Sequence, residues 1–269
     1  MLNNTLATPC KTLGTALTLL IAVSCGTSNT PVSQSSAVVF SQALPGTWAR
    51  VQLLTSEASA LGTKSKTKVA RYSLVTFANN GDEIVASEKV CEIATANSGS
   101  SSISFAPSIL KAIPDSSYSY LPNAQGTALA RPAAVEALGL ALKDPAVGAL
   151  PTSASDSRVI DQDNDGNPGV TVNVEAKVVI TISAELYVAQ RTFWSESLTN
   201  ITADTINGSV NWTQEQTILG SSNSLFTTVK PKVTTLPAES SVTLRKLSAG
   251  AGCADVIAQK TKLFGALKI

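Results

Sequence analysis

The sequence predicts a mainly β domain, built as a single antiparallel barrel or as a two-sheet sandwich, with a short C-terminal helix. Three observations lead to this fold class. Charged residues make up 14% and aromatic residues 5% of the chain, while Ser, Thr, Val and Ala abound, a composition typical of strands. Apolar residues occupy every even position from Val170 to Val188, the period of a strand with one buried face. Turn-forming residues at 79–82 separate two further β-rich runs.

Residues 1–24 are predicted to be a signal peptide and are set apart from the folded domain. Lys11 is the only charged side chain before the apolar run Leu13–Val23. That run is shorter than the roughly 20 residues that a membrane-spanning helix needs. We therefore expect the chain to be exported.

The segment Ile21-Ala-Val-Ser-Cys-Gly26 resembles the lipobox of bacterial lipoproteins. The resemblance implies that the peptide before Cys25 is removed and that Cys25 is acylated, which anchors the protein to a membrane of the cell envelope. In that family a residue other than Asp after the cysteine, here Gly26, favours the outer membrane. Ala22 departs from the family pattern, in which leucine is commonest. Ordinary cleavage, giving a secreted or periplasmic protein, is the alternative.

Residues 25–44 are rich in Ser and Thr and have no hydrophobic periodicity, which predicts a flexible tether. Residues 45–269 are expected to form one β-rich domain, since all-β domains of this length are often single. Besides the run after residue 170, four segments are predicted as strands from their β-forming residues: Lys68–Phe77, Glu83–Thr95, Ile206–Leu219 and Ser240–Leu247.

Three other segments have patterns that differ from that of an ordinary strand. The run Val170–Val188 exceeds an ordinary strand, so we expect one long strand, either curved as in a barrel or bent near Ala176-Lys177. Ala133–Lys143 suits a helix by its alanines and a strand by its alternating leucines, and the alternation favours the strand. The apolar residues of Cys253–Phe264 fall on one helical face, which predicts a short C-terminal helix.

About nine strands and a terminal helix fit either a closed barrel or a sandwich. Gly46-Thr47-Trp48 resembles the Gly-X-Trp motif of the first lipocalin strand, which implies a lipocalin-like barrel with the tryptophan closing one end. The excursion Ala106–Gly169 is foreign to a compact lipocalin. The chain as a whole also resembles bacterial surface lipoproteins, and this resemblance implies no particular activity. It rests on the lipobox, the tether, the Gly46-Thr47-Trp48 motif, the acidic loop at residues 161–169 and the strand Glu185–Arg191.

The number of cysteines left after the signal peptide and the lipidation site also supports export. Cys10 falls in the signal peptide and Cys25 is the lipidation candidate, which leaves Cys91 and Cys253. An even pair in an oxidising compartment predicts a disulfide between them. Two buried free thiols are the alternative.

The stretch DQDNDGNPG, residues 161–169, places three carboxylates at alternate positions before a glycine. Asp161, Asp163 and Asp165 match the first positions of a calcium loop, in which the carbonyl of Asn167 would be a further ligand. Val172 stands where an EF-hand has glutamate, so the loop is not an EF-hand. We expect either a weak structural calcium site or an Asx-rich turn bonded to its own backbone.

Composition also narrows the classes of partner and reaction. The chain has no histidine and a formal charge of +1, which excludes His-based catalysis and His-ligated metals. The cluster Lys64, Lys66, Lys68 and Arg71 is expected to be a solvated strand edge. We therefore predict no nucleic-acid partner.

The sequence favours a non-enzymatic envelope lipoprotein of structural or interaction type, with the membrane as partner through its anchor and other envelope proteins as further partners. A lipocalin-like carrier, holding a small apolar ligand inside a barrel, is the alternative. An enzyme would need two carboxylates brought together by the fold, for example Glu185 and Glu215, and we assign no catalytic residue.

Overall fold

A computed structural model describes residues 44–60, 63–81, 83–123, 127–177, 179–228 and 231–269. The predicted signal peptide, Cys25 and all of the tether before residue 44 lie outside the described residues. The strands are β1 (Gly46–Ala60), β2 (Thr63–Asn80), β3 (Glu83–Gly99), β4 (Ser101–Phe105), β5 (Ser116–Pro122), β6 (Leu129–Leu138), β7 (Val170–Lys177), β8 (Thr181–Ile201), β9 (Thr205–Ser221), β10 (Lys232–Thr235) and β11 (Ser241–Lys246). The α-helices are α1 (Leu225–Thr228) and α2 (Cys253–Phe264), and two 3-10 turns span Pro107–Ala112 and Pro237–Glu239.

All of these strands belong to one antiparallel sheet that closes on itself. Eight of them follow in the order β8-β6-β5-β3-β2-β1-β11-β9, and β9 pairs back onto β8. The ring of hydrogen bonds is therefore complete, and the fold is a near-barrel with a short C-terminal helix. Of the two predicted architectures, the structure has the single antiparallel barrel.

Three shorter strands extend the wall at one end of the ring. β7 pairs with the first part of β8, whereas β6 pairs with β8 from Gln190 to Leu198. β10 likewise pairs with β1 beyond the stretch that β11 occupies. Between β3 and β4 side chains replace a backbone ladder, because Asn97 and Thr95 hydrogen-bond to the backbone of Ile103. The wall therefore continues past the eight-strand ring.

Helix α2 covers the outside of β1, β2 and β3. Val256 is its fully buried residue and packs with Val51 and Tyr72 on the outer face of the sheet. Cys91 and Cys253 form the predicted disulfide, with their Cα atoms 5.2 Å apart. This bond indicates a protein that folds in an oxidising, extracytoplasmic compartment. The predicted helix is confirmed.

The prediction of one strand across Val170–Val188 is wrong. The run forms two strands, β7 and β8, that pair with each other around a hairpin turn. The partners are Val170 with Val188, Val172 with Leu186, Val174 with Ala184 and Ala176 with Ile182. Because even positions pair with even positions, the apolar alternation passes through the turn without a break. Val179 and Ile180, at the turn itself, are 96% and 69% exposed.

The prediction of a solvated edge strand around Arg71 is also wrong. β2 lies between β1 and β3, and Arg71 is buried inside the ring. The favoured strand reading of Ala133–Lys143 is confirmed for the part in β6, which ends at Leu138.

The excursion between β6 and β7 wraps over the outer face of β8. Arg191 fixes it, since its guanidinium donates to the carbonyl oxygens of Pro145, Val147 and Gly148 at 3.0–3.2 Å and pairs with Glu215. In the part of the chain that the structure describes, every helix is too short or too polar to cross a lipid bilayer.

Candidate functional site

Side chains fill the ring at the end where β1 begins. We name this region the packed end; its members include Leu44, Trp48, Phe77, Tyr120, Leu198 and Leu244. Trp48 is fully buried there, its indole Nε1 donates to the carbonyl oxygen of Leu44 at 2.9 Å, and its ring meets Phe77 edge to face. The packed end closes the base of the ring.

A buried ion network lies next along β1. Arg50 Nη1 donates to Glu88 Oε1 at 2.7 Å, and its Nη2 donates to Glu196 Oε1. The hydroxyl groups of Tyr118 and Tyr120 donate to the second oxygens of Glu88 and Glu196, at 2.8 and 2.6 Å. All four carboxylate oxygens therefore have a donor, which is the condition under which buried charges are tolerated.

The electrostatics of this network keep Glu88 and Arg50 ionised despite their burial. Burial alone would raise the pKa of Glu88, but the guanidinium groups of Arg50 and Arg71 outweigh burial and hold the pKa at about 2. Burial would lower the pKa of Arg50, and the carboxylates of Glu196 and Glu88 raise it well above its ordinary value. Burial and the nearby carboxylate raise the pKa of Tyr120, so its hydroxyl stays a donor.

Beyond the network, the ring encloses a cavity of about 300 Å³, which we name the lumen. Its wall is mainly aliphatic and includes Leu54, Val69, Phe105, Leu138, Val172 and Val188. It extends to the strand ends at Ala58, Ala176 and Ile182, where Leu225 of α1 is 44% exposed. A concave, mostly apolar cavity with few polar groups is the usual form of a small-molecule site.

The inner end of the lumen is polar. Arg71 Nη1 donates to both oxygens of Glu136, at 2.9 and 3.1 Å, and the guanidinium carbon lies 5.1 Å from the ring centroid of Trp194. Gln52 also lines the lumen, and its Nε2 donates to Glu196 Oε1 at 2.8 Å. The floor of the lumen is thus tied directly to the ion network.

The predicted acidic loop brings its three carboxylates together. One oxygen of each of Asp161, Asp163 and Asp165 lies within 4.8 Å of the others. Asp161 accepts hydrogen bonds from the backbone N–H groups of Asp165 and Gly166, at 3.1 and 2.9 Å, and Asp165 accepts one from Asn167 at 2.9 Å. The loop therefore has the backbone bonding of an Asx-rich turn as well as the geometry of a metal-binding cluster.

Asp163 is the inner member of this triad. It is 1% exposed, its Oδ2 accepts from the backbone N–H of Thr171 at 3.1 Å, and its Oδ1 has no hydrogen-bond partner in the described chain. Burial raises the pKa of Asp163. Such a buried, unsatisfied carboxylate oxygen is costly unless a cation or a proton compensates it, so the triad fits a metal ion.

A glycine fixes how this loop joins the lumen wall. Gly169 has φ +92°, and a Cβ added there would lie 2.4 Å from the carbonyl oxygen of Val188. Only glycine allows both this conformation and this approach. The end of the acidic loop is thus held against Val188 of β8, and the chain passes directly into β7, whose inner face lines the lumen.

The carboxylates named as enzyme candidates are not paired. Glu215 forms an ion pair with Arg191 on the outer face. Glu185 lies just beyond the Leu186–Ser221 end of the β8–β9 ladder, where its backbone N–H donates to Ser222 Oγ at 2.9 Å.

Sequence reasoning identified the apolar inner face of Val170–Val188 but missed the polar side chains of the lumen and of the ion network. Gln190 and Thr192 continue the inward alternation of Val188, and Arg50 and Gln52 continue that of Trp48. Polar residues in phase with a buried apolar series were the available signal, because a polar side chain at such a position must find a partner inside the ring.

Comparison of the chain with models of protein families, with curated proteins and with solved structures finds no match.

Proposed function

We propose that this protein binds a small, mainly apolar molecule in the lumen. The observation that carries the proposal is the contrast between the two ends of one ring. At the packed end tryptophan, tyrosine, phenylalanine and leucine fill the interior, whereas slender residues such as Val172, Val174 and Ala176 line the other end and leave about 300 Å³ free. Ring size alone does not explain the cavity, because the same ring is filled elsewhere.

The walls of the lumen support binding with little reorganisation. Its floor is held by the ion network. Among the strands of its sides, β1, β2 and β8 are paired on both edges along most of their length. A preformed site saves the cost of ordering loops or side chains on binding. Its volume lies at the small end of the range for ligand sites, which favours a compact ligand.

The test is equilibrium dialysis of the protein against naphthalene, a rigid apolar probe. We expect wild type to bind it, and we expect Val172→Trp, which places an indole in the lumen, to abolish the binding. Ser183→Trp is the matched control, because Ser183 is exposed at the outer side of β8. Failure of the wild-type protein to bind the probe would refute the proposal.

A lipid-anchored position in the cell envelope remains a prediction from Cys25. If Cys25 is acylated, fractionation of cells will find the Cys25→Ser variant outside the membrane pellet while wild type stays in it.

A structural or interaction role with envelope proteins, which the sequence favoured, is the second candidate. Its support is the polar outer groove formed by Ser102, Ser104, Asn173 and neighbours, and crosslinking in intact envelopes tests it.

For the acidic loop we propose weak binding of a structural calcium ion by Asp161, Asp163 and Asp165, with the Asn167 carbonyl as the fourth ligand. The support is the cluster of three carboxylates and the unpaired Oδ1 of Asp163. Calcium accepts irregular oxygen shells, whereas magnesium demands a compact octahedron. Calcium is therefore the better match for three carboxylates and a carbonyl with water completing the shell.

Calcium bound by the folded state must raise its stability by mass action. At a free concentration about a hundred times the dissociation constant, the gain is about 2.7 kcal/mol. We expect millimolar calcium to raise the melting temperature of wild type above its value in chelator, and magnesium to raise it much less. The variant Asp163→Asn, Asp165→Asn should melt at one temperature in both conditions. If wild type also shows no difference, the loop is only a turn.

A further inference from the structure

One wall of the lumen carries a set of neutral polar side chains, which we name the polar strip: Gln190 and Thr192 on β8, and Gln214 and Gln216 on β9. Gln190 lies directly opposite Gln216 in the ladder, and Thr192 lies opposite Gln214. All four line the lumen, and Trp194 and Trp212 form the next cross-strand pair toward the floor. The strip therefore runs along the cavity from the polar floor into the mainly apolar part of the wall.

The polar strip keeps unused hydrogen-bonding capacity. Gln190 Nε2 donates to Thr192 Oγ1 at 3.1 Å, and Gln214 Nε2 donates to Gln216 Oε1 at 2.7 Å. A primary amide can donate twice and accept twice. The Oε1 atoms of Gln190 and Gln214 and the Nε2 of Gln216 thus have no protein partner among the described residues. The strip presents both acceptors and donors to whatever fills the lumen.

The charges around the lumen exclude an anionic head group. Arg71 is the sole cationic side chain in the described lining, and Glu136 neutralises it with two hydrogen bonds. The other acid of the lining, Glu175, is exposed at an outward position of β7 near the rim. A carboxylate or phosphate placed inside would lose its hydration without gaining an unpaired cation, which is strongly unfavourable.

We infer that the ligand of the lumen is a neutral amphiphile: an apolar body that packs on the aliphatic wall, and hydroxyl or carbonyl groups along one side that bond to the polar strip. This inference rests on the proposed binding function and narrows its ligand class. Free fatty acids in their anionic form are poor ligands for this cavity. Hydroxyl-bearing or carbonyl-bearing apolar molecules of matching size are good ones.

Three probes built on one ring system test the inference: naphthalene, naphthylmethanol and naphthoate, each measured by equilibrium dialysis against the full chain near neutral pH. We expect naphthylmethanol to bind about tenfold more tightly than naphthalene, because its hydroxyl exchanges its bonds to water for bonds to strip groups that naphthalene would leave unpaired. We expect naphthoate to bind on the order of a hundredfold more weakly than naphthylmethanol.

The variant Gln214→Met, Gln216→Met removes half of the strip with side chains of similar length. It should bind naphthalene at least as well as wild type, which shows that the lumen is intact, and lose the preference for naphthylmethanol. Gln259→Met on α2 is the matched control and should keep the preference. Naphthalene binding with no preference among the probes, or equal binding of naphthoate, overturns the inference and leaves the proposed function standing. Absence of binding by all three probes overturns both.

Discussion

Arg50 places a permanent positive charge inside the ring, where its hydration is lost. An unpaired buried ion costs several kcal/mol or more, so its two carboxylate partners are a condition for folding and not an addition to it. Glu88 and Glu196 supply that compensation, and the tyrosine hydroxyls complete it. The network fixes the relative positions of β1, β3, β5 and β8 at the floor of the lumen.

The pKa of Glu88 makes this network sensitive to acid. Its pKa is about 2 in the folded state, below the ordinary 4.5. The contribution to stability is therefore fully present above about pH 4.5 and is lost as the pH falls toward 2. From that difference the loss is about 3 kcal/mol. Urea unfolding at a series of pH values should show the free energy of unfolding decline across this window.

The variant Glu88→Gln should be less stable than wild type at neutral pH by about 3 kcal/mol, because Arg50 keeps its charge and loses one partner. It should also lose the part of the acid dependence that Glu88 causes. Glu83→Gln is the control, since Glu83 is exposed on the same strand. An equal decline with pH in wild type and Glu88→Gln would show that Glu88 is not the titrating group.

Burial of Arg71 shows a limit of sequence reading at the residue scale. Three lysines at alternate positions before it, Lys64, Lys66 and Lys68, suggested a solvated edge. The inner face of β2 carries Arg71, Val69 and Thr67, and the lysines alternate with them. Because Arg71 is in phase with the buried series, the alternation along β2 could have predicted its burial. Its partner Glu136 lies 65 residues away, and no local sequence pattern identifies that pairing.

Among the elements, β7 and β8 show how a correct hydrophobic period can accompany a wrong number of strands. The alternation identified the buried face, but one strand was predicted where the chain forms two. Alternation reports which face a residue occupies, and it is unchanged by a hairpin whose partners have the same parity. The register from Val170 with Val188 to Ala176 with Ile182 keeps that parity. The sequence thus identified the buried face, and the turn lacked the glycine or asparagine that usually marks one.

The β-bulge in β3 determines how α2 is attached. Ser73 pairs with Val90 and Tyr72 with Glu92, which leaves Cys91 as the extra residue. A bulge lets neighbouring residues leave the strict alternation. Cys91 bonds to Cys253 and Glu92 pairs with Lys260, so both reach the helix. The cysteine count predicted the disulfide, whereas the bulge depends on strand pairing that the sequence does not specify.

The disulfide should stabilise the domain strongly, because its two cysteines are 162 residues apart. The chain-entropy model gives about 5 kcal/mol for a loop of that length. We expect Cys91→Ala, Cys253→Ala to lower the free energy of unfolding by that order in urea. A reductant should lower the stability of wild type and leave the double variant unchanged. Equal stability of the two proteins would mean that strain or residual structure cancels the effect of the cross-link.

At the scale of the whole molecule, closure of the ring rests on contacts that are distant in sequence. β1 pairs with β11, and β6 pairs with β8. A barrel and a sandwich share the same alternation along each strand and differ only in such pairings, which is why the sequence left both open. The composition and periods predicted the class, the number of strands approximately and the helix, but not the division of the interior into a packed end and a lumen.

Because the interior is divided in this way, we predict that Leu→Ala lowers the free energy of unfolding more at the packed end than at the lumen. Leu198 is fully buried in the packed end, so Leu198→Ala leaves a new void and should cost about 2–5 kcal/mol. Leu138 borders the lumen, so Leu138→Ala enlarges a cavity that already exists. It loses little packing and should cost about 1–2 kcal/mol.

Urea unfolding of both variants measures this difference, and naphthalene binding gives a second and independent comparison. Leu138→Ala should still bind the probe, because the wall that remains is apolar, whereas Leu198→Ala should bind it with wild-type affinity as long as it folds. If the two substitutions destabilise the protein equally, the lumen is packed as tightly as the base of the ring. The lumen would then have no room for a ligand, since a filled interior needs no second molecule to complete it.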